Sequence, residues 1–136
     1  MDFQLNDAQM DAQQTARRLS SSRLATAAAE LDQTEGFPSE TLKAIGREKL
    51  LGINIDTQYG GRGAGVVAYV LAVRELAKGC PATTVAMMVT NMVAEAIQKF
   101  GNEAQREQYL TQICRGDWPA YAFSLSEPGS GSDAAS

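Results

Sequence analysis

Between Pro81 and Gly101 lies "ATTVAMMVTNMVAEAIQKF", in which Val85, Met88, Val89, Met92, Val93, Ala96, Ile97 and Phe100 recur at steps of three and four. Steps of that size return to one side of an α-helix but scatter over both sides of a strand, so this stretch must be helical for about five turns. Proline suits the first helical turn, where its missing N–H has no partner to lose, and glycine suits the stop. A helix this long and this apolar needs others to cover it. The fold is therefore expected to be mainly α, a helical bundle.

Local signals place the neighbouring helices. Asn6 is suited to cap the first one, with Gln9 returning the bond and Leu5 stapling onto Met10. Helical character then continues toward Leu31, with "SSSR" at 20–23 leaving open whether it is one helix or two. "GFPS" at 36–39 is a turn into a short helix from Pro38 to about Glu48, with Leu42 and Ile45 inward. "LLGINID" is expected to be an extended connection. The helix over Ala64–Lys78 is apolar nearly all round, as a central bundle helix would be. Asn102 opens a last helix with Tyr109, Leu110, Ile113 and Cys114 as its inner face, and Gly116 closes it. Then the period changes. Tyr121, Phe123 and Leu125 alternate with Ala122, Ser124 and Ser126, which is a strand pattern. Residues 1–117 are thus expected to form a helical domain and 118–136 the first strand and loop of a truncated β-domain.

Composition removes several functions. With 12 Lys and Arg against 16 Asp and Glu, the net charge is −4, so nucleic acid is not an expected partner. The apolar run at 66–73 is too short to span a bilayer, and the N-terminus lacks the cationic and apolar regions of a secretory signal, which points to the cytoplasm. Cys80 and Cys114 have no metal-type spacing and suit reduced core thiols. The chain has no histidine. That removes Ser-His-Asp and Cys-His systems and His-containing zinc sites, and no metal site is expected; chemistry here would run through a cofactor or carboxylates.

Three stretches could carry function. "GGRGAG" at 60–65 lacks the G-x-G-x-x-G spacing, which favours a flexible loop over a phosphate cradle. Met87, Met88 and Met92 could be plain core or the adaptable wall of an apolar pocket. "SLSEPGSGSD" at 124–133 offers hydroxyls on Ser126, Ser130 and Ser132 and an unhindered glycine backbone, suited either to an anion nest or to a hydrophilic surface hairpin.

The stretch "YAFSLSEPGSGSDAA" resembles the flavin-binding signature of the acyl-CoA dehydrogenase family, usually T-E-P-G-A-G-S-D, with Ser126 in place of Thr and Ser130 in place of Ala. "FPSETLKAIGREKLLGINI", "QYGGRGAG", "VRELAKGCPATT" and "FGNEAQREQYLTQICRGDWPAYAFSLSEP" resemble the family's N-terminal domain in the same order. Asp56 stands where Pro is common and Thr90 where many members have His.

The resemblance implies FAD as cofactor, contacted by Phe123, Leu125, Ser126, Gly131 and Ser132, and an acyl-CoA substrate contacted by Ser132 with its acyl chain along Val85, Met88 and Met92. It implies α,β-dehydrogenation of the thioester, in which a glutamate takes the α-proton and the β-hydrogen leaves as hydride. That glutamate belongs to a part of the family fold beyond residue 136, and Glu127 is not its equivalent, so no catalytic residue is assigned here and this stretch alone is expected to be inactive. An electron-transfer flavoprotein or other acceptor and a homo-oligomeric enzyme are implied as partners. Two alternatives stand beside this: a flavin monooxygenase or nitroalkane-oxidase-like enzyme of the same fold, or a non-catalytic helical interaction module.

Overall fold

Asn6 caps the first helix as its sequence suggests. Its side-chain oxygen accepts the Gln9 N–H at 2.9 Å, and its own N–H donates to Gln9 Oε1 at 3.1 Å. The computed structural model describes residues 4–117 and Ala122; the strand and loop expected over 118–136, Ala122 apart, lie outside the described residues. Helix α1 spans Asp7–Leu19, and the chain does not break at the serines. Ser20–Leu24 form a single π-turn, with the Ala25 N–H reaching Ser20 O, and α2 (Ala25–Thr34) follows directly. Helix α3 (Ser39–Arg47) buries Leu42 and Ile45. Helices α4 (Gly65–Ala77) and α5 (Pro81–Phe100) are joined by a tight turn at Gly79. A second capping box, Asn102 with Gln105, opens α6 (Glu103–Gln105); a π-turn at Arg106–Leu110 leads into α7 (Thr111–Arg115). Gly116 ends it in the left-handed conformation, φ 72°.

The core draws on α1, the Ser20–Leu24 turn, α3, α4, α5, α7 and the segment between α3 and α4. Leu42, Ile45, Leu51, Ile53, Met87 and Ile113 are fully buried, each worth about 1.5–3 kcal/mol against leaving it in water. Tyr109, expected inward, is more than a third exposed, while Leu110, Ile113 and Cys114 face in as expected. Both cysteines are free and buried, and burial pushes the Cys114 thiol up to about 11.

Two expectations are overturned. The segment at 50–56 is not extended: it is a run of turns with Leu50, Leu51, Ile53 and Ile55 all buried. Its backbone is satisfied by side chains of α5 and by the loop that follows, so no partner strand is needed. Asn91 Nδ2 donates to Leu50 O, Asn91 Oδ1 accepts from the Ile53 N–H, and the Asp56 N–H donates to Gln98. Nor is α4 a central helix. It turns Ala68, Ala72 and Leu76 inward but leaves Val66, Val67 and Val70 more than half exposed.

The glycine loop at 60–65 is packed, neither free nor a phosphate cradle. The N–H groups of Gly61, Arg62, Gly63 and Ala64 are taken by the carbonyls of Asp56, Gly52, Ile55 and Ile53. A side chain at Gly61 would bring a Cβ to 2.1 Å from the Ile55 carbonyl oxygen. Arg62 then clamps the loop, donating from Nε and Nη2 to the Glu48 carbonyl and from Nη1 to Asp11.

Glu75 is the one buried carboxylate among the described residues, 1% exposed. Arg17 approaches it with two nitrogens at 3.3 Å, and Lys78 Nζ lies 2.7 Å away. Hydrogen bonds from Arg17 and Lys78 hold its carboxyl down at about 2, against an ordinary 4.5. The lowered value makes the carboxylate a source of stability at neutral pH, lost as pH falls from about 4.5 toward 2. Its cationic partners are more than half exposed, so solvent screening reduces the contribution to about 1–2 kcal/mol. Thermal melts of the parent and Glu75→Gln should therefore differ most at neutral pH and converge in acid. A constant difference down to about pH 3 would mean that Glu75 stays paired without its charge.

Candidate functional site

Helix α5 carries the candidate substrate-binding residues, and its rotation decides where they point. Thr83, Thr84, Met87, Thr90, Asn91 and Ala94 face inward. The polar ones are accommodated locally: Thr84 Oγ1 donates to Cys80 O at 2.8 Å, Thr90 Oγ1 to Ala86 O at 2.9 Å, and Thr83 Oγ1 to Cys80 Sγ at 3.3 Å. Asn91 fixes the helix to the 50–53 turns, and Glu95 and Gln98 continue the attachment by accepting from the Asn54 side chain and the Asp56 N–H.

With that side pinned, Val85, Met88 and Met92 emerge on one stripe of the opposite side, 57%, 38% and 55% exposed. Met87, between them in sequence, is fully buried. The methionines therefore divide: Met87 is core, and Met88 and Met92 are surface. An exposed, unbranched thioether beside a valine is a surface that can mould itself to a flexible apolar group. Half-buried Val89 and Ala96 lie along the same stripe, which ends at Lys99, its Nζ 5.4 Å from the Phe100 ring centre.

The other proposed site residues, Phe123, Leu125, Ser126, Gly131 and Ser132, lie outside the described residues. No group of three or more metal-ligating side chains occurs among the described residues. Sequence reasoning missed Glu75 and Asn91. Each had a signal: an acid flanked by Arg74 and Lys78 inside an apolar run, and a lone asparagine in the middle of an apolar helix.

Residues 6–117 match the family model described as "Acyl-CoA dehydrogenase, N-terminal domain". The chain belongs to the acyl-CoA dehydrogenase family. It is 37% identical over 134 residues to the short-chain specific acyl-CoA dehydrogenase of Clostridium acetobutylicum, covering 98% of this chain and 35% of that protein. It is 39% identical over 133 residues to the 3-sulfinopropanoyl-CoA desulfinase of Paraburkholderia xenovorans, covering 97% and 34%. The solved butyryl-CoA dehydrogenase of Megasphaera elsdenii shares the fold with a TM-score of 0.86 and 33% identity, over 98% of this chain and 36% of that one. The chain thus spans about a third of the length of the relatives it matches. Membership in this acyl-CoA dehydrogenase family accounts for the helical fold.

Proposed function

We propose that this chain forms the N-terminal helical part of an FAD-dependent enzyme that dehydrogenates an acyl-CoA thioester between its α- and β-carbons. The observation that carries the reading is the outward stripe of Val85, Met88 and Met92 in a domain of this family. Three apolar side chains held at the surface by a helix whose far side is firmly attached are suited to line an acyl chain. The chemistry that FAD supplies when bound is acceptance of the hydride from the β-carbon. The donor set Ser126, Gly131 and Ser132 suits its pyrophosphate, because hydroxyls and a glycine backbone can approach charged oxygens closely. Phe123 and Leu125 would lie along the flavin, and Ser132 would also reach the acyl-CoA.

The boundary near residue 117 between a helical domain and a β-domain belongs to this proposal. So do a cytoplasmic location, a homo-oligomeric enzyme and an electron-transfer flavoprotein as acceptor. No helix among the described residues is long and apolar enough to cross a membrane. The desulfinase relative favours a second reading, in which the same thioester handle presents a different bond for cleavage.

The test uses the enzyme that contains this sequence. Butyryl-CoA should bleach its flavin absorbance, and 3-sulfinopropanoyl-CoA should release no sulfite; sulfite release from 3-sulfinopropanoyl-CoA without lasting bleaching would select the second reading, and neither bleaching nor sulfite release would refute both. Ser132→Ala should weaken FAD and acyl-CoA binding about ten- to a hundredfold, because a hydroxyl bond to a charged oxygen is worth roughly 1.5–3 kcal/mol. Ser124→Ala should have little effect, since the resemblance assigns that position no contact with cofactor or substrate. Equal losses, measured as FAD retention on gel filtration, would mean that the contacts assigned along 124–132 are wrong.

A further inference from the structure

A groove runs between the Ser20–Leu24 turn and α3, and three guanidiniums border one end of it: Arg18, Arg23 and Arg47. Arg18 and Arg23 are five residues apart, which an ordinary α-helix would turn to different sides. The bonds of the π-turn reach one residue further than α-helical ones, so the two arginines share a heading. Arg47 comes from the end of α3, across the groove. Short side chains between them, Ser22 and Ala44, leave an opening of about 270 Å³. Of the residues lining this end, one is an acid. Glu48 accepts from Arg18 Nη2 at 2.8 Å, and its own carbonyl is held by Arg62, which steadies Arg18. Arg23 and Arg47 have no ion-pair partner among the described residues. Three positive charges against one negative leave an excess of two, on a chain whose net charge is −4.

Past Arg23 and Arg47 the groove continues along α2 as a second stretch of about 380 Å³, and its chemistry reverses. Thr26, Glu30, Glu40 and Thr41 line it. Both threonine protons are already given to the Ser22 and Pro38 carbonyls, at 3.4 and 2.9 Å. Lys43 matches the charge of Glu40 at 2.9 Å. What remains is a row of oxygen acceptors that a ligand must meet with donors. A phosphate suits the first end, since guanidinium forks meet its oxygens two at a time. Several hydroxyls suit the second, where charged and neutral acceptors are spread over more room than one ammonium fills. We propose that the groove between α1–α2 and α3 binds a sugar phosphate, its phosphate among Arg18, Arg23 and Arg47 and its hydroxyls toward Thr26, Glu30, Glu40 and Thr41. None of the lining residues belongs to the α5 stripe.

The test is isothermal titration of the enzyme that contains this sequence with ribose 5-phosphate, inorganic phosphate and ribose. Ribose 5-phosphate should bind about tenfold more tightly than inorganic phosphate, since each hydroxyl bond contributes about a few-fold. Ribose should bind more weakly than either. Arg23→Gln/Arg47→Gln should lower the affinity for ribose 5-phosphate about tenfold, because exposed ion pairs are worth a few-fold each. Added salt should narrow that gap. Both arginines are exposed, so the variant should keep the far-UV circular dichroism of the parent. Arg74→Gln, an exposed arginine that does not line the groove, should change nothing. Glu30→Ala should bring ribose 5-phosphate closer to inorganic phosphate. The phosphorylated ribose of coenzyme A is the other source of this chemistry, and saturating butyryl-CoA should leave the titration unchanged. Displacement by butyryl-CoA overturns the proposal, as do equal affinities in the parent and the double variant. Ribose 5-phosphate binding no better than inorganic phosphate, or not at all, overturns it too.

Discussion

Asn91→Leu should cost the chain about 3 kcal/mol and lower its thermal midpoint by roughly 10 °C. Leucine keeps the γ-branched shape of asparagine but is larger, so the loss of polar partners is the main effect and overpacking adds to it. Asn91 is 1% exposed and bonds three backbone groups: it donates to Leu50 O at 2.9 Å and Met87 O at 3.0 Å, and accepts from the Ile53 N–H at 3.3 Å. Met87 O sits inside a helix, where it retains a helical donor. The Leu50 carbonyl and the Ile53 N–H lose their asparagine partner in a buried turn, at about 1–3 kcal/mol for each group left unsatisfied. Asn91→Asp should not rescue the loss, because it keeps the acceptor but turns a carboxylate toward two carbonyl oxygens. Chemical denaturation of the parent and both variants decides the matter. A loss below about 1 kcal/mol would mean that the 50–53 turns find other partners.

Gly46→Ala should destabilise by about 2 kcal/mol, although the same change inside an ordinary helix stabilises by up to about 1 kcal/mol. The reversal comes from what the new methyl would meet. A Cβ at Gly46 would lie 2.6 Å from the Gly116 Cα and 3.1 Å from Leu51 Cδ1. The first of these is backbone, which cannot rotate aside, so α3 and the end of α7 must separate. Gly116 has a positive φ and faces the same contact from the other side, where its own Cβ would lie 2.9 Å from the Gly46 Cα. Overpacking of this kind costs about 1–3 kcal/mol and exceeds the gain in helix propensity. A Gly46→Ala variant more stable than the parent would show that the two elements can part freely.

These two sites show where the sequence was legible and where it was not. Caps and stops are local, so Asn6 with Gln9, Pro81, Asn102 and Gly116 were readable from their immediate neighbours. The inward pair Leu42 and Ile45 was readable for the same reason. Periodicity also found the stripe through Val85, Met88 and Met92, but a stripe has no sign: apolar spacing says that residues share a side, not that the side faces this domain's core. That is why α4 was expected at the centre although Val66, Val67 and Val70 lie outside. The 50–56 segment failed differently. Its partners, Asn91 and Gln98, lie about forty residues away, and no local pattern encodes a backbone satisfied by distant side chains. Of the candidate site, the α5 stripe is described by the structure, whereas Phe123, Leu125, Ser126, Gly131 and Ser132 rest on the signature alone.

The π-turn at Ser20–Leu24 has a consequence for how this helix tolerates change. Leu19 and Leu24 are both buried, five residues apart, a spacing that an α-helix would place on different sides. The wider turn absorbs the extra residue and returns Leu24 to the heading of Ala12, Ala16 and Leu19. It serves as a phase corrector: a helix with one residue too many is brought back into step within a single turn. Shortening the serine run by one residue would therefore leave Leu24 in its place and convert the turn to an ordinary α-helical one. Lengthening it by one would exceed the correction and swing α2 by about a quarter of a revolution. The fold is thus asymmetric at this point, forgiving of a deletion and intolerant of an insertion.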